Sequence, residues 1–203
     1  MQVQLELPDF PVRLGWETPL SDEDFERAAM ESEWIQLERS KEGDLIVNAP
    51  AGGFTSNGNS EINFQLLAWW KTHKRGRVYD SNGGFFLKDG SCYAPDAAYV
   101  TPEQLKGLTN RHLSSFPRLC PAFVIELVSK TDRRKAVEAK MQDWIDNGAQ
   151  VAWLIDPYKK SVTIYEPTQP PRTTADEIVP GTGPIEGFHF NTTDVWSCYE
   201  IES

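Results

Sequence analysis

The sequence AFVIELV at residues 122–128 is an apolar run that one acid, Glu126, interrupts. Apolar residues occupy both faces of this run, as they do in strands from the middle of a sheet. A helix expected over about residues 132–147 ends at Asn147-Gly148, a left-handed stop signal. Residues 151–155 form a second apolar strand, which the usual crossover makes parallel to the first. This segment predicts an α/β fold with a central mixed sheet.

The segments on either side predict a single domain built around that sheet. Residues 161–165 alternate between apolar and polar and predict an antiparallel strand at the sheet edge. Helices are expected from Ser21, whose hydroxyl would cap the first turn, to about residue 32, over residues 60–73, and over a short stretch to about residue 108. Further strands are expected at residues 34–39, 44–47, 77–80, 84–87 and 92–100.

The remaining segments have compositions typical of irregular structure. Residues 50–59 predict a loop, and residues 166–184, rich in proline, threonine and glycine, predict a mobile one. Residues 1–20 predict an irregular N-terminal arm, which leaves residues 21–203 as the single domain. The tail near residues 188–196 is expected to pack against the rest of the domain.

The bulk composition is that of an ordinary globular protein. No apolar run reaches the 18 residues of a membrane span, and the N-terminus lacks the pattern of a signal peptide. The widely spaced Cys92, Cys120 and Cys198 predict reduced thiols in a cytoplasmic protein and no zinc site. A formal net charge of −10 works against a nucleic-acid partner, since phosphate contacts normally require a basic surface.

Three acids and one lysine from four separate segments, Glu61, Asp96, Glu126 and Lys140, are the candidate functional residues. Glu126 lies in a core strand, where a carboxylate normally has a cation beside it. Asp96 follows Pro95 at the start of a short strand, and turn formation is the alternative explanation. Lys140 flanks the apolar stripe of the helix at 132–147 and can lean toward Glu126, whereas Lys135 lies on the solvent side. A lysine that reaches solvent from the margin of a buried face is the alternative there.

Glu61, at the start of the helix over residues 60–73, lies at the margin of that helix's apolar stripe. An acid that complements the helix dipole is the alternative explanation. Carboxylates that converge beside a lysine form a site for a hard divalent cation and a polarised water.

Five motifs together resemble the putative restriction endonuclease family of the PD-(D/E)XK nuclease superfamily. They are GNSEI at 58–62, PDAAYV at 95–100, FVIELVS at 123–129, EAKMQDWIDNGA at 138–149 and WLIDP at 153–157. The resemblance covers about residues 20–200. It implies a restriction-endonuclease-like central mixed β-sheet flanked by helices, often in a homodimer.

The resemblance also implies roles for single residues. Asp96 and Glu126 match the metal-binding acids, and Glu61 matches the acid of the preceding helix, which is expected to join the metal directly or through water. The usual lysine position of the superfamily, two residues after the second acid, holds Val128, and Lys140 matches the place to which this family has moved the lysine. Gln65 and Ser129 are expected to line the pocket. Lys130, four residues after Glu126, is a second candidate lysine.

The expected function is a Mg²⁺-dependent endonuclease, with Mn²⁺ as an alternative ion, that hydrolyses phosphodiester bonds in DNA. The alternative is a catalytically inactive nuclease-fold protein that binds metal or a protein partner. The net charge favours this alternative, but a small basic strip on an acidic body could still bind DNA. Candidates for such a strip are Arg75, Arg77, Arg133, Arg134 and Lys135.

Overall fold

A computed structural model describes residues 11–15, 18–32 and 35–201. The helices are α1 (Asp22–Glu31), α2 (Gly53–His73), α3 (Pro102–Leu105), α4 (Asn110–Leu113), α5 (Arg134–Asn147) and α6 (Thr192–Ser197), with a 3-10 turn at Gly183–Ile185. The strands are β1 (Val12–Leu14), β2 (Gln36–Arg39), β3 (Leu45–Asn48), β4 (Arg77–Asp80), β5 (Phe85–Phe86), β6 (Cys92–Tyr93), β7 (Ala97–Val100), β8 (Phe123–Leu127), β9 (Val151–Asp156), β10 (Ser161–Tyr165), β11 (Arg172–Thr174), β12 (Ile178–Pro180) and β13 (His189–Asn191). No helix in the described ranges is both long and apolar enough to cross a membrane.

The central sheet contains six strands in the order β11-β10-β9-β8-β7-β4. Strands β8 and β9 are parallel, and α5 connects them as the predicted crossover. The other pairs are antiparallel, so the sheet is mixed, and the predicted fold class is confirmed. Alternate residues of β8 pack on opposite faces: Phe123 and Ile125 meet α2, while Val124 meets Met141 and Trp144 of α5. This alternation puts Glu126 on the α5 face.

A second sheet of five strands, β1-β3-β2-β6-β5, lies beside the first. We predicted one strand over residues 92–100, but the structure divides it between the sheets: Cys92 and Tyr93 belong to the smaller sheet, and Ala97–Val100 belongs to the central one. Pro95 stands at the break, where a residue without an N–H cannot donate to a ladder. Asp96 therefore lies where the chain passes from one sheet to the other.

The loop predicted over residues 50–59 was wrong, because α2 begins at Gly53 and includes most of this stretch. Glycine, serine and asparagine are poor helix formers, so tertiary packing must stabilise these turns. A Cβ atom on Gly58 would lie only 2.9 Å from the Tyr199 ring and 3.1 Å from Leu127. Glycine permits this close approach, and the longer helix brings Asn59 to the central sheet.

Three further predictions need correction. Residues 166–184 are not a structureless loop, because they contain β11, β12 and the 3-10 turn. Strand β10 is not the sheet edge, since β11 pairs with its outer side. Residues Val12–Leu14 of the expected irregular arm form β1, which pairs with β3, while residues 1–10 lie outside the described ranges. Strands of three residues are too short to show a periodic pattern in the sequence.

Candidate active site

Asp96 directly precedes β7, and Glu126 lies on the neighbouring strand β8 of the central sheet. Ala97 is opposite Ile125 in the β7–β8 ladder, so Asp96 comes opposite Glu126 one step further along. The Leu127 N–H donates to Oδ2 of Asp96 over 2.7 Å. The Asp96 carboxylate therefore lies beside the backbone of the residue that follows Glu126, and its negative charge raises the pKa of Glu126. The two carboxylates on which the predicted site depends are thus neighbours.

Helix α2 supports Asp96 through two asparagines that are one turn apart. The Asn59 side chain donates from Nδ2 to Oδ1 of Asp96 over 2.7 Å. Nδ2 of Asn63 donates to the Asp96 backbone carbonyl over 2.9 Å. Oδ1 of Asn59 is buried and has no hydrogen-bond partner among the residues that the structure describes. A buried amide oxygen without a donor is costly, and its position beside a carboxylate suits a cation or an ordered water.

Lys140 reaches the sheet from α5, as its position on the helix predicted. Its Nζ lies 2.8 Å from Oε1 of Glu126 and 2.8 Å from Oε1 of Glu38, and it donates to the Ala94 carbonyl over 3.4 Å. The ammonium also lies 5.4 Å from the centre of the Tyr93 ring. Lys140 is therefore held among carboxylates and does not extend into solvent.

The electrostatics of the site follow from its burial. Desolvation, together with the charges of Asp96 and Glu38 and against the attraction of Lys140, raises the pKa of Glu126 to about 8. Burial also raises the pKa of Asp96, while the Leu127 N–H and the charge of Lys140 oppose the increase. For Lys140 burial favours the neutral form, but Glu126 and Glu38 outweigh it and raise the lysine pKa. Perturbed groups of this kind concentrate at functional sites.

Sequence reasoning missed Glu38, Asn59 and Trp144. Glu38 on β2 is buried and accepts a 2.8 Å hydrogen bond from the Ala94 N–H as well as the Lys140 contact. Trp144 donates from Nε1 to Oε1 of Glu126 over 2.9 Å. An acid within a predicted strand was the signal that marked Glu126, and the same signal was available for Glu38. No local signal distinguishes Asn59 from the other polar residues around it.

The structure does not bring Glu61 and Gln65 to this cluster. Gln65 donates to the Glu61 carboxylate over 2.9 Å and to the Asn191 carbonyl over 3.0 Å, so both side chains face the tail of the chain. Glu61 follows Asn59 by two residues, which is a rotation of about 200° around a helix. Since Asn59 faces Asp96, Glu61 points away from it.

Ser129 and Lys130 lie two and three residues after the end of β8, at the Asp96 end of the central sheet. The Ser129 N–H donates to Asp132 over 2.7 Å, and the Ser129 hydroxyl shares a 3.2 Å hydrogen bond with Thr131. The charge of Asp132 contributes to the raised pKa of Asp96, which places this turn within electrostatic reach of the site. Lys130 is exposed and makes no ion pair with a described residue.

The donor set suits a hard divalent cation, although it does not form a cage of acids. Within the described ranges, no three histidine, cysteine, aspartate or glutamate side chains are grouped to hold a metal. Mg²⁺ is commonly held by one or two carboxylates, with waters and substrate phosphates completing its shell. Asp96 and Glu126 supply such a pair, and Oε2 of Glu126 has no hydrogen-bond partner among the described residues. The buried Oδ1 of Asn59 adds a neutral oxygen nearby.

Comparisons with known proteins agree with this fold. A crystal structure of a putative nuclease belonging to DUF820 from Anabaena variabilis ATCC 29413 is 20% identical in sequence and has a TM-score of 0.69, covering 80% of this chain and 90% of that chain. At that identity the similarity concerns the fold alone. A search of curated proteins found no match. The model of the Uma2 family, described as putative restriction endonuclease, matches residues 22–193, and the chain therefore belongs to the Uma2 family.

Proposed function

We propose that this protein is a Mg²⁺-dependent endonuclease, with Mn²⁺ as an alternative ion, that hydrolyses phosphodiester bonds in DNA. The observation that carries the proposal is the convergence of the Asp96 and Glu126 carboxylates with the Lys140 ammonium. Membership of a restriction-endonuclease family and a nuclease-like fold support it.

Asp96 and Glu126 would hold the ion. When bound, a divalent cation polarises a phosphate and lowers the pKa of a coordinated water. The Leu127 N–H and the Asn59 amide hold the Asp96 carboxylate in a fixed direction, so little reorganisation is required of it. Trp144 and Lys140 both contact Oε1 of Glu126, which leaves Oε2 as the open coordinating atom.

Lys140 would stabilise the negative charge that develops on the phosphate, or orient the attacking water. Its ammonium is anchored 2.8 Å from Glu126, so it stands beside any ion that this carboxylate holds. For Glu61 to take its proposed role as a ligand, its side chain would have to leave Gln65 and turn around α2. We therefore assign the central roles to the other three residues.

The loop after β8, together with the first turn of α5, is our proposed contact for the DNA backbone. Lys130, Arg133 and Lys135 are exposed and make no ion pair with a described residue. Arg134 is occupied by Glu138 and Asp156. This loop lies at the Asp96 end of the sheet, and a few cations there could bind phosphates despite the acidic body of the protein.

The other candidate cations lie elsewhere. Arg77 pairs with Val100, whereas Asp80 pairs with Ala97, so Arg77 stands at the end of β7 that is remote from Asp96. Arg75 lies two residues before it. We therefore leave Arg75 and Arg77 out of the proposed DNA contact.

Cleavage of supercoiled plasmid in Mg²⁺ tests the proposal. Asp96→Asn and Glu126→Gln should each lower the rate about 10²- to 10³-fold or more, because each removes a charged ligand. Glu42→Gln is the control, since Glu42 is exposed and pairs at the surface with Arg13. Unchanged cleavage by Glu126→Gln would refute the assignment. Divalent-cation binding by the wild type without cleavage of any nucleic acid would support the inactive, metal-binding alternative.

We also propose a homodimer, as the resemblance to the family implies. A two-fold dimer would present two equivalent sites to the two strands of a duplex. Light scattering should then give twice the mass of one chain, and a monomer across the accessible concentration range would contradict this.

A further inference from the structure

The Lys140 ammonium is surrounded by protein acceptors. An ammonium has three N–H donors, and three oxygens lie around this one. They belong to Glu38 at 2.8 Å, Glu126 at 2.8 Å and the Ala94 carbonyl at 3.4 Å. Two carboxylates therefore share one cation, and the two are not equivalent.

Glu38 is fixed at both of its oxygens. Oε1 accepts from the Ala94 N–H over 2.8 Å as well as from Lys140, and Oε2 accepts from Nδ2 of Asn48 over 3.2 Å. Its side chain is 6% exposed and comes from β2 of the smaller sheet. Glu38 cannot turn away from Lys140 without breaking contacts that also hold the chain two residues before Asp96.

Glu126 is fixed at one oxygen only. Oε1 accepts a hydrogen bond from Trp144 and forms the ion pair with Lys140, while Oε2 has no hydrogen-bond partner among the described residues. Of the two carboxylates that share Lys140, Glu126 is therefore the one with a free oxygen.

We infer that Glu38 is a positioning residue, the permanent counter-ion of Lys140, and that it leaves Glu126 free to bind a divalent cation. This inference rests on the proposed function. When Glu126 coordinates a cation, Glu38 still pairs with Lys140 and keeps the ammonium in the site. The ionised cluster of three carboxylates and one ammonium then carries a surplus of two negative charges, which matches a divalent ion.

Without the Glu38 charge, the Lys140 ammonium should compete with a divalent cation for the Glu126 carboxylate. The ammonium would pair with Glu126 alone, and a cation would have to displace it. Changes to groups that orient metal ligands typically cost about 10- to 100-fold in metal affinity. Glu38→Gln keeps an oxygen for the Ala94 N–H, so the substitution removes charge with little change of shape.

The test is calorimetric titration with Mn²⁺ in the absence of DNA, a measurement that does not depend on cleavage. Glu38→Gln should bind Mn²⁺ at least about 10-fold more weakly than the wild type. Glu42→Gln, on the same hairpin but with an exposed ion pair, should bind it as the wild type does. If Glu38→Gln unfolds, Asn48→Ala removes one anchor of Glu38 and should give a smaller loss in the same direction.

A double-mutant cycle with Lys140→Met separates positioning from simple charge. If Glu38 acts through Lys140, Glu38→Gln should lose most of its effect on Mn²⁺ affinity in the Lys140→Met background. An equal loss in both backgrounds, or unchanged affinity in Glu38→Gln, would overturn the inference and leave the proposed function intact. A wild-type protein that binds no Mn²⁺ would overturn the proposed metal site together with it.

Discussion

Glu38 and Arg39 are consecutive residues of β2, each 5% exposed, and they belong to two ionic clusters of opposite character. Arg39 donates to the Gly90 and Leu20 carbonyls and to the Asp22 carboxylate. Its guanidinium also lies 5.1 Å and 5.4 Å from the ring centres of Phe25 and Phe86. These contacts tie α1 to the smaller sheet.

In the Arg39 cluster every charge has a partner. The Asp22 carboxylate accepts hydrogen bonds from both Arg118 and Arg39, and these bonds lower the pKa of Asp22 despite its partial burial. In the Glu38 cluster carboxylates outnumber cations, burial raises the pKa of Glu126, and one carboxylate oxygen has no donor among the described residues. Burial of charge is therefore common to both clusters. A surplus of carboxylates together with an open coordinating atom distinguishes the candidate site.

Removal of the cation from the Arg39 cluster should cause the larger loss of stability. Arg39→Met leaves buried carbonyls and a carboxylate unpaired, so unfolding in urea should require about 3 kcal/mol less free energy. Arg13→Met, which removes a surface pair, should cost about 0–1 kcal/mol. Cleavage per folded molecule should not change in Arg39→Met. A loss of activity in the folded variant would contradict a purely structural role for the Arg39 cluster.

Removal of the cation from the Glu38 cluster should instead affect activity. Lys140→Met is expected to lower plasmid cleavage about 10²- to 10³-fold, because the charge that develops on the phosphate loses its counter-ion. Circular dichroism should confirm that the variant folds. Full cleavage by a folded Lys140→Met protein would mean that this cluster too is structural.

The stability of the metal-free protein should respond to pH in opposite directions at the two clusters. The pKa of Glu126 rises from 4.5 to about 8, so its contribution is present below pH 4.5 and is lost as the pH rises through 8. The pKa of Asp22 falls below 3.8, so its contribution is present above 3.8 and is lost at lower pH. Urea unfolding with a chelator, from pH 3 to 9, measures both effects.

Substitutions test which residue causes the loss of stability at high pH and which causes the loss at low pH. Glu126→Gln should remove the decline between about pH 5 and 9, and Asp22→Asn should reduce the decline in acid. An alkaline decline that persists in Glu126→Gln would contradict the assignment of the raised pKa.

The smallest expected effect concerns the surface beside the site. Neutralising Lys130, Arg133 or Lys135 to glutamine should weaken DNA binding, measured in Ca²⁺. The slope of log affinity against log salt concentration should fall by about 1 for each phosphate that no longer meets a cation. Arg75→Gln and Arg77→Gln, remote from Asp96, are the matched controls and should change neither quantity. Equal effects at both ends of the sheet would show non-specific attraction.

The candidate site was predictable where one element carries its own signal. Glu126 stands out in an apolar strand, and the position of Lys140 on its helix directs it toward the sheet. Glu38 and Lys140 are 102 residues apart, and nothing in either segment specifies their contact. The start of α2 also depends on a long-range contact that the local sequence does not specify, because the packing of Gly58 against Tyr199 and Leu127 compensates for poor helix formers.

The strand–helix–strand unit of β8, α5 and β9 follows from local sequence, because hydrophobic periodicity and a glycine stop are properties of consecutive residues. Long-range packing, by contrast, divides residues 92–100 between two sheets, turns Asn59 rather than Glu61 toward Asp96, and brings Glu38 to Lys140. Those outcomes depend on side chains from remote segments that compete for the same buried partners. Their relative free energies are set only when the sheets and helices pack together.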